Sequence, residues 1–184
     1  MDETDAPPLP FDRSYWVVPG KLLAGAYPGN RDAERAKEKL SRLLDAGIRN
    51  VVDLTEPGEA NREGTPFAPY DGLLLDLARE RGTQVRTLRM PIADCSVPTH
   101  RQMVRILDTV DRSLDTGHPV YVHCWGGVGR TGTVVGCWLA RHGIASGRGV
   151  LEKIQGLRRG EPSAYRTSPE SEEQRAMVVS WRED

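Results

Sequence analysis

The segment 120–140 constrains this chain more than any other part of it. An apolar run at 120–122 leads into His-Cys-Trp-Gly-Gly-Val-Gly-Arg-Thr at 123–131, and a second apolar run follows at 133–140. This order predicts a strand, a glycine-rich turn and a helix that begins near Arg130. Glycines allow the N–H groups of such a turn to point inward, and the helix N-terminus adds a positive dipole. The segment therefore predicts an anion site that suits a phosphate group.

Cys124 lies at the mouth of this predicted loop, six residues before Arg130. The helix dipole and the arginine favour its thiolate, which is the nucleophilic form of cysteine. Arg130 keeps its proton and offers a planar fork that matches two phosphate oxygens. We therefore predict Cys124 to be a nucleophile, with Arg130 and the backbone amides of the loop holding a phosphate group. The predicted phosphate-binding residues are Trp125, Gly126, Gly127, Val128, Gly129 and Arg130.

Two neighbours of the loop are assigned to supporting roles. The Thr131 hydroxyl could donate to the Cys124 thiolate and so make it a better leaving group. His123 is expected to orient the loop through a hydrogen bond, because a thiolate needs no general base.

Other interpretations of the same loop fit less well. Residues 127–132 match the dinucleotide pattern G-x-G-x-x-G, but that pattern needs a second strand after the helix, whereas 146–159 has the periodicity of a helix. The ATP-binding loop G-x-x-x-x-G-K-[ST] fails twice, at Cys124 and at Arg130. A buried structural cysteine beside a simple turn would leave Arg130 and Thr131 unexplained.

The signature His-Cys-x5-Arg-Thr resembles that of the cysteine-dependent protein tyrosine phosphatases, and the chain is similar to their dual-specificity branch from about Tyr15 to Trp181. This resemblance implies a metal-independent phosphomonoester hydrolase that acts on phosphotyrosine and/or phosphoserine/threonine proteins through a phosphocysteine intermediate. It implies no cofactor and no metal at the site. The uncharged loop residues favour a singly phosphorylated substrate, because relatives that act on phosphoinositides tend to carry lysines there.

Alternating strands and helices predict an α/β fold with a central, mainly parallel sheet flanked by helices. A site in such a sheet lies at the carboxyl ends of the strands, and Cys124 directly follows one. The long polar loop 55–69 is expected to border that site. We expect a disordered tail at 1–12 and a single phosphatase domain at 13–184. The predicted strands are 15–18, 22–24, 50–54, 84–88 and 120–123, and the predicted helices are 32–46, 72–81, 100–114, 133–140 and 146–159.

Cleavage of a phosphate ester also needs an acid for the leaving oxygen, and Asp94 is the candidate. It follows a predicted strand, so it should share a sheet edge with Cys124. The resemblance implies that its segment is the family's mobile acid loop. The alternative is a turn or capping aspartate ahead of the next helix. Asp53 is a second candidate, but it lies within an apolar strand and is expected to be structural.

A further helix is expected late in the chain, with Ser168 as its N-cap and Pro169 in its first turn. Gln174 lies on the second turn of this predicted helix. Related phosphatases carry a late glutamine that positions the hydrolytic water, so the resemblance implies that role for Gln174. A solvated helix face is the alternative.

Composition excludes several other classes of protein. Twenty-five basic and 26 acidic residues leave a net charge of −1 and form no basic tract, so neither nucleic acid nor a membrane is expected as a partner. The acidic first residues differ from a secretory signal. Three cysteines argue against a disulfide scaffold, and four scattered histidines form no metal-ligand pattern. We expect a cytoplasmic enzyme whose partners are phosphorylated proteins.

Three alternatives remain open at this stage. The substrate could be a non-protein phosphate ester such as a phosphoinositide or an inositol phosphate. The chain could be a thiol-dependent oxyanion reductase in which Cys95 resolves an oxidised Cys124. It could also be a phosphate-binding module without turnover. Arginines outside the loop are expected to be solvated surface residues, namely Arg86, Arg89, Arg158, Arg159 and Arg166.

Overall fold

In the computed structural model of the chain, which describes residues 7–61 and 63–183, one sheet of five strands carries the predicted phosphate loop, residues 124–129. The strands are β1 (Ser14–Val18), β2 (Leu22–Gly25), β3 (Asn50–Asp53), β4 (Arg86–Arg89) and β5 (Val120–His123), in the spatial order β1-β2-β5-β3-β4. Only the β1–β2 pair of this sheet is antiparallel, and the other three pairings are parallel. The prediction of a mainly parallel sheet is confirmed.

Helices cover both faces of this sheet. They are α1 (Ala33–Asp45), α2 (Asp71–Glu80), α3 (His100–Leu114), α4 (Arg130–Arg141), α5 (Gly149–Leu157) and α6 (Glu172–Ser180). The side chains of β5 alternate between two hydrophobic cores, as expected for a strand with period two. Val120 and Val122 pack with residues of α3 to α6, whereas Tyr121 packs with residues of α1 and α2.

The strand register brings four carboxyl ends to one edge of the sheet. His123 is level with Gly25 on one side and with Asp53 on the other, and Asp53 is level with Arg89. Segments that leave these strands therefore start close together, including the loop that begins with Cys124. This register places the candidate site at the sheet edge that the alternation predicts.

The N-terminal segment differs from the expected disordered tail over part of its length. Residues 1–6 lie outside the described residues. Residues 7–12 are placed against the sheet, with Phe11 buried and packed edge-to-face on Tyr121, the two ring centroids being 6.0 Å apart. The indole N–H of Trp16 donates to the Pro7 carbonyl at 2.9 Å. Burial of an aromatic side chain is what holds this segment in place.

The predicted start of the last helix is wrong by three residues. Ser171, not Ser168, is the N-cap of α6, because Ser171 and Gln174 form a reciprocal capping box. Ser168 instead donates its hydroxyl to the Val128 carbonyl at 2.7 Å and so supports the phosphate loop. In the part of the chain that the structure describes, no helix has the length and apolar character needed to cross a membrane.

Candidate active site

The phosphate loop occupies residues 124–129, between the end of β5 and the start of α4. Gly129 is the N-cap of α4, so the positive end of that helix dipole points at the loop. Within the described residues, the N–H groups of 125–130 donate to no protein acceptor. Cys124 lies at the base of the loop and is 3% exposed. The loop can therefore offer its amides to the oxygens of an anion next to the cysteine sulfur.

Gly127 explains why the sequence needs a glycine in the middle of this loop. Its φ is +71°, and a Cβ there would lie 2.6 Å from the carbonyl carbon of Gly25. A side chain would have to displace the backbone of the neighbouring strand. The contact is reinforced by a hydrogen bond from the Tyr27 N–H to the Trp125 carbonyl at 3.0 Å. The end of β2 thus fixes the curvature of the loop.

His123 has the contacts expected of a residue that orients the loop. Its Nε2 lies 2.7 Å from the Tyr70 hydroxyl, and its Nδ1 lies 3.2 Å from the Cys124 carbonyl oxygen. A carbonyl only accepts, so Nδ1 carries the proton and Nε2 accepts from the tyrosine. Burial lowers the pKa of His123, which favours this neutral form.

The Thr131 hydroxyl is placed differently from the expectation. It donates to the Gly25 carbonyl across a long 3.4 Å contact. Among the described residues, no hydrogen bond joins Thr131 to Cys124. The assistance to a leaving thiolate stays a prediction that would require the hydroxyl to rotate.

Arg130 is buried and held by a carboxylate that the sequence analysis missed. Its two terminal nitrogens donate to the two carboxylate oxygens of Glu59 at 2.7 and 2.6 Å, and Nη1 also donates to the Ile92 carbonyl at 3.1 Å. Burial acts to lower the pKa of Arg130, but its contacts with Glu59, Cys124 and Asp94 outweigh burial and raise it. The only sequence signal for Glu59 was its position in the long loop 55–69.

Asp94 lies at the same cleft as Cys124 and remains 66% exposed in its side chain. Its Oδ1 is 3.0 Å from Nη2 of Arg130. The Cys95 thiol contacts the other carboxylate oxygen at 3.6 Å. Burial and the neighbouring Asp94 charge raise the pKa of Cys95. Asp94 is therefore exposed enough to reach a substrate, and it is paired with the arginine that the substrate would contact.

Asp53 has the structural surroundings that the sequence favoured for it. The carboxylate is fully buried, accepts the backbone N–H of Thr55 at 2.9 Å and accepts Nε of Arg89 at 3.0 Å. These bonds fix the first turn of the loop after β3.

Gln174 borders the cleft, but its amide is already engaged. Its Oε1 accepts the backbone N–H groups of Glu170 and Ser171, each at 3.1 Å. Its Nε2 donates to the Ser96 carbonyl at 3.1 Å. This amide joins the N-terminus of α6 to the segment that carries Asp94. A water-positioning role stays a prediction. The observed contacts are those of a tether between α6 and the segment that carries Asp94.

These residues surround one open cleft of about 870 Å³. On one side Phe67 stacks on Trp125, with ring centroids 3.9 Å apart. Within the described residues, no group of three or more histidines, cysteines and carboxylates could hold a metal ion. The cleft is lined by Arg13, Glu59, Ala60, Asn61, Glu63, Phe67, Asp94, Cys95, Cys124, Trp125, Gly126, Gly129, Arg130, Tyr165, Arg166, Glu170 and Gln174.

Comparison with known proteins gives a consistent result. A model of the family described as "Polymorphic toxin system, DSP-PTPase phosphatase" matches residues 25–144. The chain is 29% identical over 135 residues to the putative tyrosine phosphatase 067L of Invertebrate iridescent virus 3, which covers 71% of this chain and 47% of the viral protein. It is 25% identical over 138 residues to the phosphatidylglycerophosphate phosphatase PTPMT2 of Arabidopsis thaliana, covering 74% of this chain and 52% of that protein.

The fold itself is similar to that of kinase associated phosphatase, KAP. The TM-score is 0.66 at 22% identity, and the alignment covers 88% of this chain and 85% of the KAP chain. The two curated relatives are longer proteins, and the chain spans only about half of their length.

Proposed function

Because this chain belongs to the dual-specificity phosphatase family within the cysteine-dependent tyrosine phosphatases, we propose that it hydrolyses phosphomonoesters of proteins through a phosphocysteine on Cys124. The observation that carries this proposal is the convergence of Cys124, Arg130 and Asp94 on one cleft, at a loop whose amides are open to an anion. Each of these groups supplies a different requirement of phosphoryl transfer.

In the first step the Cys124 thiolate attacks phosphorus, the P–S bond forms and the P–O bond to the leaving group breaks. Asp94 gives its proton to the departing oxygen. Arg130 and the loop amides hold the three equatorial oxygens, and these contacts strengthen as charge shifts in the transition state.

In the second step water attacks the phosphocysteine. Asp94 now accepts a proton from that water, the P–S bond breaks and Cys124 leaves as a thiolate. Thr131 is proposed to assist this departure by donating its hydroxyl, and Gln174 is proposed to keep the Asp94 segment in place for the step. Inorganic phosphate is released and the enzyme returns to its starting form.

Phosphotyrosine and phosphoserine/threonine in proteins are the proposed substrates. The support is that the five loop residues between Cys124 and Arg130 are uncharged, and that the exposed Trp125, stacked on Phe67, lines the cleft. A lipid phosphate ester is the second candidate, because a relative of similar coverage is described as a phosphatidylglycerophosphate phosphatase. A cytoplasmic location is proposed because a reactive thiolate persists in a reducing compartment.

The direct test is hydrolysis of p-nitrophenyl phosphate with a chelator present, comparing wild type with Cys124→Ser. Activity that survives chelation and disappears in the variant supports the proposal. Retention of near wild-type turnover by Cys124→Ser, with its fold intact by circular dichroism, would exclude the covalent route. Phosphopeptides and phosphatidylglycerophosphate vesicles are then compared by kcat/KM.

A further inference from the structure

Two guanidinium groups border the space beside Gly126 in the phosphate loop. A Cβ at this position would lie 3.8 Å from Nη1 of Arg166 and 4.0 Å from Nη2 of Arg13. Apart from the chain neighbours of the glycine, no other heavy atom of the described residues comes within 4 Å of that point. The glycine thus leaves open a small space that is flanked by two positive charges.

Arg13 is fixed in this position by the loop itself. Its Nη2 donates to the Gly126 carbonyl at 2.8 Å. Its own backbone carbonyl accepts the N–H of Ala26 at 2.9 Å, at the end of β2. The bond to Gly126 uses one of the five N–H donors of the guanidinium, so the others remain for a ligand.

Arg166 is fixed through a buried neighbour. The fully buried Arg158 donates Nη1 to the Arg166 carbonyl at 2.9 Å and pairs with Glu161 at 2.8 Å. The side chain of Arg166 pairs with Glu170 through Nη2, which leaves Nη1, the nitrogen nearer to Gly126, for another partner. The expectation that Arg158 is a solvated surface residue is therefore wrong, whereas the side chain of Arg166 stays 32% exposed.

Three of the four carboxylates that line the cleft lie away from this space. Glu59 and Asp94 lie on Arg130, and Glu63 lies beside Asn61. Glu170 is the one lining carboxylate in contact with Arg166. Arg130 is thus paired with two carboxylates, whereas of the two arginines beside Gly126 only Arg166 forms an ion pair within the described residues.

We propose that Arg13 and Arg166 form a subsite for a second anionic group of the substrate. Planar guanidinium groups suit carboxylate and phosphate equally well, so the group is an acidic or phosphorylated side chain next to the scissile phosphoresidue. Gly126 is two residues from Cys124, which places this group beside the reacting phosphate. This subsite rests on the proposed phosphopeptide activity, and it changes the expected substrate from a singly anionic to a doubly anionic peptide segment.

Three phosphotyrosine peptides that differ at a single position test the subsite. The residue next to the phosphotyrosine is asparagine, aspartate or phosphoserine. Wild type is expected to show a kcat/KM about tenfold higher for each anionic peptide than for the neutral one, the value for one partly exposed charge-assisted contact. Arg13→Gln and Arg166→Gln should each bring this ratio towards one. Arg159→Gln removes the same charge from an exposed position outside the cleft and should leave the ratio unchanged.

The ratio separates this subsite from the phosphatase activity itself. Hydrolysis of all three peptides at equal kcat/KM, or a preference that both arginine variants retain, would overturn the subsite and leave the activity standing. Calorimetry with Cys124→Ser measures the ratio of the dissociation constants of the same peptides, which requires no turnover. A dependence on the two arginines for a soluble inositol bisphosphate but not for any peptide would overturn the assignment to a peptide.

Discussion

Both carboxylate oxygens of Glu59 accept hydrogen bonds from the two terminal nitrogens of Arg130, at 2.6 and 2.7 Å. The arginine is 2% exposed and the glutamate side chain 10% exposed, so this ion pair is shielded from water. Glu59 therefore acts as a positioning residue for the guanidinium that the phosphate would contact.

Glu59→Gln is expected to lower both stability and kcat/KM. Loss of one partner of a buried ion pair costs about 3–5 kcal/mol, and we expect about 2 kcal/mol here because Asp94 and the Ile92 carbonyl still contact Arg130. A looser guanidinium should reduce kcat/KM about tenfold or more. Chemical denaturation and p-nitrophenyl phosphate kinetics measure the two effects. Glu56→Gln changes an exposed charge in the same loop and serves as the control. A lower KM in Glu59→Gln would instead mean that Glu59 competes with phosphate.

Asp94→Asn should slow turnover most for poor leaving groups. An amide cannot protonate the departing oxygen, and a nitrophenolate leaves well without help whereas an alkoxide does not. We expect kcat to fall about 10²-fold or more for a phenyl or alkyl phosphate, and by less for p-nitrophenyl phosphate. Asp76→Asn, at an exposed position of α2, controls for the loss of a carboxylate. An equal loss for every leaving group would contradict the role of Asp94 as the acid.

The variant Gln174→Glu tests whether the Gln174 amide holds the Asp94 segment in place or positions the hydrolytic water. Gln174→Glu can still cap α6 but cannot donate to the Ser96 carbonyl, which lies two residues beyond Asp94. As a tether, Gln174 should affect the steps that need Asp94, so the variant should lose more kcat/KM for phenyl phosphate than for p-nitrophenyl phosphate. A kcat/KM that is unchanged for both esters, together with a lower kcat, would show that only the hydrolytic step depends on Gln174, as the water-positioning role requires.

The central parts of the site could be predicted from sequence because they are local. Cys124 and Arg130 are set by one strand, one loop and one helix, and the strand order brings Asp94 to the same edge. Periodicity also gave α3 and β5 with the bounds that the structure has. Local pattern and tertiary packing agree in these segments, which is typical of foldable sequences.

The parts that could not be predicted are long-range polar contacts. Glu59 meets Arg130 across 71 residues, and Arg13 meets the Gly126 carbonyl across 113 residues. Neither lies in a periodic segment, so hydrophobic pattern carries no signal for them. The start of α6 was wrong for a different reason, since Ser168 and Ser171 are both acceptable N-caps and only Ser171 has glutamine three residues later.

The buried His123 predicts how stability depends on pH. Its pKa is lowered by burial in the folded state, so the unfolded chain binds more protons there. The folded state therefore loses stability as pH falls below the unfolded value of about 6.5, with a slope of at most about 1.4 kcal/mol per pH unit for one group. In denaturant unfolding, the free energy of unfolding should fall less between pH 7.5 and pH 5 for His123→Asn than for wild type. The exposed His118→Asn should keep the wild-type slope.

Cys95 is expected to react slowly although its side chain is exposed. Partial burial and the adjacent Asp94 carboxylate raise its pKa, and only the thiolate attacks an alkylating agent. In Cys124→Ser at pH 7, iodoacetamide should modify Cys95 more slowly than a cysteine in a model peptide, and peptide mass mapping separates it from the buried Cys137. Adding Asp94→Asn removes the neighbouring charge and should increase the rate. A Cys95 that reacts faster than the peptide would favour a resolving cysteine and hence the oxyanion-reductase alternative, because resolution of an oxidised Cys124 requires a Cys95 thiolate.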